Sequence, residues 1–184
     1  LRASLRTAGS PAGLAAEPQG PAWVDNARVA LEDAVMSRHL VATTTLRFWL
    51  CKCLAACFRF PSVGHHLYGT VKALHQAALA KLSPAACRAA VVAALGALTL
   101  EHGERLGRLA ADSVACCTKQ LPLRELALRR CAMESLGQVL EGTGAAGLPD
   151  ATTNEVLKAV QGSAKDKAPE VPAAAARALA ALAR

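Results

Sequence analysis

Residues 83–103 read SPAACRAAVVAALGALTLEHG. Ser83 followed by Pro84 is a helix-start signal: a side chain that caps the first free amides, then a proline at the position whose N–H would be unpaired anyway. The residues that follow are mostly Ala, Val and Leu up to Leu100, with Cys87, Gly96 and Thr99 among them, and Gly103 reads as the break. Arg88 interrupts the run, and Glu101 and His102 close it. It therefore falls short of the roughly 18 uncharged apolar residues of a membrane span. The segment reads as a core helix, apolar all round because neighbours cover it on several sides.

The same grammar repeats outward from this helix. On the C-terminal side, a helix is expected over about Glu104 to Lys119, and another opens at Pro122 and reaches about Glu141. Thr152 and Glu155 have capping-box spacing for a helix to about Val160, and Pro169 and Pro172 introduce a last one to Arg184. On the N-terminal side, a helix is expected over about Val63 to Ala80, with Leu67, Val71, Leu74 and Ala78 on one face. Before it, about Thr43 to Phe58 carries Leu46, Trp49, Leu50, Cys53, Leu54 and Cys57 at helical spacing, and Pro61 stops it. The first helix runs about Val24 to His39, with Asp25 as its cap. Residues 1–22, rich in Gly and Pro, read as a flexible tail or linker, leaving 23–184 as one helical domain.

Helix starts near 24, 43, 63, 84, 104, 122, 150 and 171 put every second start about 40 to 49 residues apart. That is the period of two-helix units of the HEAT or armadillo kind. The expected fold is all-α: an α-α superhelix, a solenoid of about four two-helix repeats. No unit can bury its apolar face alone, so each must stack on the next. Composition agrees, with 53% apolar residues but only 3% aromatic ones among the 184. Ala and Leu favour close helix packing over sheets. In the last unit, Asp166 stands five residues before Val171, as in the inter-helix turn of HEAT repeats, although Pro172 occupies the place of the usual arginine.

The chemistry-bearing motifs are weak. Gly142, Gly144 and Gly147 spell G-x-G-x-x-G, but after a helix and outside any βαβ unit, so a glycine helix stop and loop explain them better than a dinucleotide. Cys51, Cys53 and Cys57, with His65 and His66, are metal-ligand types. On a helix, however, Cys51 points about 160° away from Cys53, and zinc needs four converging ligands. Seven cysteines with no secretory signal read as reduced packing residues. Ser10, Ser37 and Ser62 lie in tail or turn positions, without a nucleophile-elbow motif. No catalytic, cofactor or metal residue is assigned, and the chain reads as a non-enzyme with no cofactor.

Interaction residues are the remaining candidates. Phe48 with Trp49, and Phe58 with Phe60, concentrate the aromatics. Trp49 is expected in the core, whereas Phe60 and Tyr68 are expected at an edge. Arg124, Arg129 and Arg130 on the sixth helix, with Lys158, Lys165 and Lys167 in the next unit, form a basic ridge suited to an acidic peptide, although a solvated face explains it as simply. The candidate partner-binding residues are thus Phe60, Tyr68, Arg124, Arg129, Arg130 and Lys158. The formal charge of +7 makes a nucleic-acid-binding helical repeat the runner-up, but the basic residues are scattered rather than clustered.

Four stretches, taken in order, resemble a known family. Arg47-Phe-Trp-Leu-Cys-Lys-Cys-Leu-Ala-Ala56 is similar to an early Arg-x-x-Leu-x-Lys-x-Leu-Ala-Ala helix, and Gly103-Glu-Arg-Leu-Gly107 to the start of the next unit. Glu134-Ser-Leu-Gly-Gln-Val-Leu140, running into Gly142 to Gly147, resembles a Leu-x-x-Val-Leu helix with a Gly-Ala-rich end, and Asp166 to Leu182 the following repeat. The family is the HEAT repeat-containing protein 5 family, large accessory proteins of the AP-1 clathrin adaptor, in its N-terminal region. The likeness spans about 160 residues; the Ala-rich composition departs from it. It implies a cytoplasmic scaffold, peripheral at the trans-Golgi network and endosomes, whose partners are clathrin-adaptor subunits or their accessory proteins. It supplies no catalytic residue. Family members are very large, so this chain, which begins at Leu1, reads as a piece of a longer protein. The helical-repeat di-iron hydroxylases bind iron through His-Glu dipeptides, and here His102 is followed by Gly103.

Overall fold

A computed structural model describes residues 21–37, 43–80, 83–144 and 147–183; most of the expected tail, His39 and Arg184 lie outside them. Among the described residues there are helices and turns and no strand. In chain order the helices are α1 (Trp23–Met36), α2 (Thr44–Cys57), α3 (Pro61–Gly64), α4 (Leu67–Leu79), α5 (Ala85–Leu106), α6 (Arg108–Thr118), α7 (Leu126–Thr143), α8 (Asp150–Ser163) and α9 (Glu170–Leu182).

Local chemistry accounts for most boundaries. The Thr43 hydroxyl accepts the Leu46 amide at 3.2 Å and caps α2. Pro61 does not merely end α2; it opens the single turn α3, so the one helix expected over 63–80 is split in two. Pro84 is the cap of α5 and the helix begins one residue later than expected. Asp25 lies inside the first turn of α1 rather than capping it, and bonds Arg28. Thr152 and Glu155 likewise lie within α8, which starts at Asp150. Residues 119–125 are turn, so α7 starts four residues past Pro122.

The break expected at Gly103 falls one residue earlier: at His102 (φ −132°, ψ 15°) the backbone leaves helical angles and α5 kinks between two helical stretches, the second of which ends at Gly107 (φ +51°). A positive φ there is open to glycine at little cost. Gly103 is needed for a different reason: a Cβ on it would stand 2.6 Å from the Gly142 carbonyl carbon. Gly142 in turn abuts the Thr99–Leu100 backbone. These glycines let α5 and α7 cross backbone to backbone, and this is the most extensive packing in the molecule.

The helices form two layers. α1, α4, α6 and α8 neighbour one another in sequence order, as do α2, α5, α7 and α9. The layers are joined in pairs, α1 with α2, α4 with α5, α6 with α7 and α8 with α9. Between the layers runs the main apolar core, from Val35 through Leu54, Leu74, Leu95 and Leu136 to Ala178, with a small satellite of Val24, Cys57 and Val63. Each fully buried Leu contributes on the order of 2 kcal/mol. The face expected on α4 (Leu67, Val71, Leu74, Ala78) is fully buried.

Polar bonds between successive pairs repeat at nearly constant sequence separation. In the first layer Thr70 donates to Glu32, His75 bonds Ser113 at 2.9 Å and Thr118 donates to Glu155 at 2.7 Å, at separations of 38, 38 and 37 residues. In the second, Ser135 donates to the Val92 carbonyl at 2.9 Å and Arg177 to Glu134 at 3.4 Å, both across 43 residues. α5 is long and apolar enough by composition to cross a bilayer. Here it is a central core helix packed on α2, α4 and α7.

Candidate protein-interaction groove

α2 buries only part of the face its spacing suggests: Leu54 and Cys57 are buried, but Leu46, Trp49 and Cys53 are exposed, and Arg47, Cys51, Ala55 and the capping Phe58 are buried as well. Trp49 is therefore not a core residue: 57% of its surface is exposed, as is 48% of Phe48. The two rings meet edge to face at 5.4 Å, and the Lys52 ammonium sits 5.0 Å from the centre of the Phe48 ring.

This pair forms one wall of a groove of about 750 Å³ across the second layer. Its floor is made by Gly137, Ala174 and Ala181, small residues of α7 and α9. Arg130, Arg177, Glu134 and Glu141 supply charge, with Glu134 3.4 Å from Arg177 and 3.9 Å from Arg130. A cavity of about 140 Å³ adjoins it and shares Phe48, Arg130, Glu134 and Gln138 with the groove. A wall of exposed aromatics above a floor of small side chains suits an apolar side chain from an extended or helical partner segment.

Comparisons with family models, with curated proteins and with solved structures find no match.

The residues singled out from the sequence are dispersed. Phe60 is 37% exposed and packs edge-on against Trp23 at 6.5 Å, near the N-terminal end of the stack. Tyr68, half exposed, donates its hydroxyl proton to the Arg105 carbonyl. Arg124 is exposed in the turn before α7, not on the helix. Arg129 grips Asp166 with two hydrogen bonds of 2.8 and 3.1 Å and donates also to the Leu123 and Arg124 carbonyls, so it is a strut between α7 and the α8–α9 turn. That pairing, strengthened by the Ala168 amide, holds the Asp166 carboxyl below the usual range. Lys158 is exposed on α8, beside Leu121 and Lys165 in a separate cleft. The expected basic ridge is thus split, and only Arg130 reaches the groove.

The cysteines do not converge. Cys51 is buried, its thiol pushed up to about 12 chiefly by burial, and Sγ donates to the Ala90 carbonyl at 3.7 Å. Cys57 is buried against Val24 and Val63, and Cys53 faces out. His65 and His66 stack on each other at 3.9 Å. Among the described residues no three His, Cys, Asp or Glu are placed to hold a metal ion. Of the glycine motif, Gly142 belongs to the helix crossing. Gly144 (φ +64°) is the stop, its amide bonded to the Leu140 carbonyl at 2.9 Å.

Proposed function

We propose that the chain is a HEAT-type helical-repeat scaffold of four two-helix units that binds other proteins through the groove bounded by α2, α7 and α9. The observation that carries this reading is the stacking of pairs linked by polar bonds at separations of 37 to 43 residues. A stack held this way is quasi-one-dimensional and presents long continuous surfaces, the architecture on which proteins dock partner segments. The reading assigns no catalytic step. From the ordered resemblance of its four stretches, we further propose that it serves as an accessory to the AP-1 clathrin adaptor, cytoplasmic and peripheral at trans-Golgi and endosomal membranes.

The test is direct binding of the purified chain to reconstituted AP-1 core and appendage domains, by biolayer interferometry at physiological salt. Saturable binding that weakens about tenfold or more in Trp49→Ala or Phe48→Ala is expected, the loss that follows from truncating an interface aromatic. Absence of binding by wild type refutes the adaptor assignment. Tight, steeply salt-dependent binding to duplex or single-stranded nucleic acid would move the function to that class instead.

A further inference from the structure

Arg28, Arg129 and Arg47 turn inward, and the first two are neutralised. Arg28, 8% exposed, lies 2.7 Å from both Asp25 and Glu32. Arg129 holds Asp166 in a two-bond fork. Arg47, 9% exposed, has no carboxylate partner among the described residues. Its Nη1 donates to the Cys131 sulfur at 3.4 Å, a weak acceptor, and its Nε is buried with no partner at all. Burial raises the pKa of the Cys131 and Cys51 thiols, so both stay neutral and neither balances the guanidinium. A buried cation left uncompensated is strongly unfavourable.

Arg47 lines the cavity of about 140 Å³ at the edge of the groove. That is room for about four or five waters, or for one carboxylate head group. The ionic side chains in its wall are Arg47, Lys52 and Arg130 against Glu101 and Glu134, which leaves one positive charge. Glu101 is taken by Arg59 at 2.9 Å, and Glu134 by Arg177. Lys52 is turned over the Phe48 ring. A single negative charge balances the cavity, whereas a dianionic phosphate would lie against Glu101 and Glu134.

We propose that this cavity receives the carboxylate of an Asp or Glu side chain from a partner peptide lying in the groove, bound by Arg47 and Arg130, with a neighbouring apolar residue seated on Phe48 and Trp49. The inference rests on the scaffold reading and names the chemistry its groove selects. Arg47 is then a recognition residue held ready in the free protein, where it destabilises the fold. Its planar guanidinium suits a carboxylate at close range.

The experiment is selection of phage-displayed random peptides on the intact chain, followed by titration of the strongest synthetic peptide by fluorescence anisotropy. The expected peptide carries an acidic residue beside an apolar or aromatic one. Changing that acid to its amide, or to phosphoserine, weakens binding at least tenfold, as do Arg47→Met and Arg130→Met. Arg47→Met should also raise the denaturation midpoint of the free protein, which a merely structural arginine would not do. Failure to select an acidic peptide, equal binding by the amide, tighter binding by phosphoserine, or full affinity in both arginine variants overturns the proposal. If adaptor binding is intact in Arg47→Met, the carboxylate site is refuted and the scaffold stands. If the adaptor does not bind but the acidic peptide does, only the adaptor assignment is lost.

Discussion

Replacing Gly142 with alanine plants a Cβ 2.6 Å from Leu100 Cα and 2.7 Å from the Thr99 carbonyl carbon. Ordinary contact between carbons begins near about 3.5 Å, so α5 and α7 must separate by about 1 Å at their crossing. Every atom met is backbone, and no rotamer change relieves it. Leu95 and Leu98 of α5 and Leu136 and Val139 of α7 are fully buried in the same core. A gap of that size forfeits a quarter to a half of each dispersion contact across it. The Ser135–Val92 hydrogen bond also joins these helices and would be stretched. Overpacking costs about 1–3 kcal/mol in cores that can adjust, and a backbone crossing belongs at or above the top of that range. Alanine's better helix propensity returns only about 1 kcal/mol. Gly142→Ala should therefore lose at least about 2 kcal/mol net, lowering Tm by about 4–8 °C for a chain of this size. Gly69→Ala, in α4 with nothing within 4 Å of its Cβ, is the matched control and should gain about 0.5–1 kcal/mol. Thermal and urea denaturation of the two variants checks the signs. A Gly142→Ala midpoint equal to or above that of wild type would refute the backbone-crossing account of the glycine motif.

Three further outcomes follow from the buried polar groups. Burial, opposed by Asp112, holds His75 below its usual 6.5. The unfolded chain therefore takes up a proton first on acidification, and stability present above pH 6.5 is lost as pH falls through the lower folded value. In His75→Gln that loss should be absent from urea midpoints, and an unchanged pH profile would count against the assignment. Asp166, held low by Arg129 and then by the Ala168 amide, contributes stability above about pH 3.8 that disappears as pH drops below it. Asp166→Asn should melt earlier than wild type at pH 7, with the gap closing toward pH 2; a gap that persists in acid would mean that the ion pair is not its source. Iodoacetamide on the native protein should label exposed Cys53 well before buried Cys116, whose pKa burial lifts to about 11, or Cys117, lifted further. Peptide mass mapping decides this, and early labelling of Cys117 would contradict its burial.

Helix starts were the legible part of the sequence. Ser83-Pro84, Thr43 and Pro169 act on their immediate neighbours, so their effect can be read without tertiary knowledge. The two-residue link between α3 and α4 and the turn over 119–125 were not legible, and the kink at His102 was legible only as a break at Gly103. His102 bonds the Ala55 carbonyl at 2.9 Å, 47 residues away, and such a contact leaves no local trace. The glycine motif was half legible. A glycine after a helix signals a stop, as at Gly144, but Gly142 is required by α5, which helical periodicity cannot foresee.

The groove was hidden by a degeneracy in α2. Leu46, Trp49, Leu50, Cys53, Leu54 and Cys57 make one apolar stripe, and Cys51, Leu54, Ala55 and Phe58 make another that overlaps it at Leu54, so periodicity alone cannot choose which faces inward. Volume argues for Trp49 inside, and the charge of Arg47 argues for it outside, yet the structure has the reverse of both. The small residues of α5 bear on the choice: Cys51 donates to the Ala90 carbonyl, and Ala93 and Ala97 line the cavity beside Arg47 and Cys51, leaving space but offering no charge to a guanidinium. A helix that buries a cation while exposing a tryptophan violates the usual partition on both sides at once. Such violations persist at positions selected for something other than stability of the free fold. In α2 the exposed ring lines the groove and the buried charge lines the cavity that adjoins it, the arrangement that the proposed acidic peptide would use.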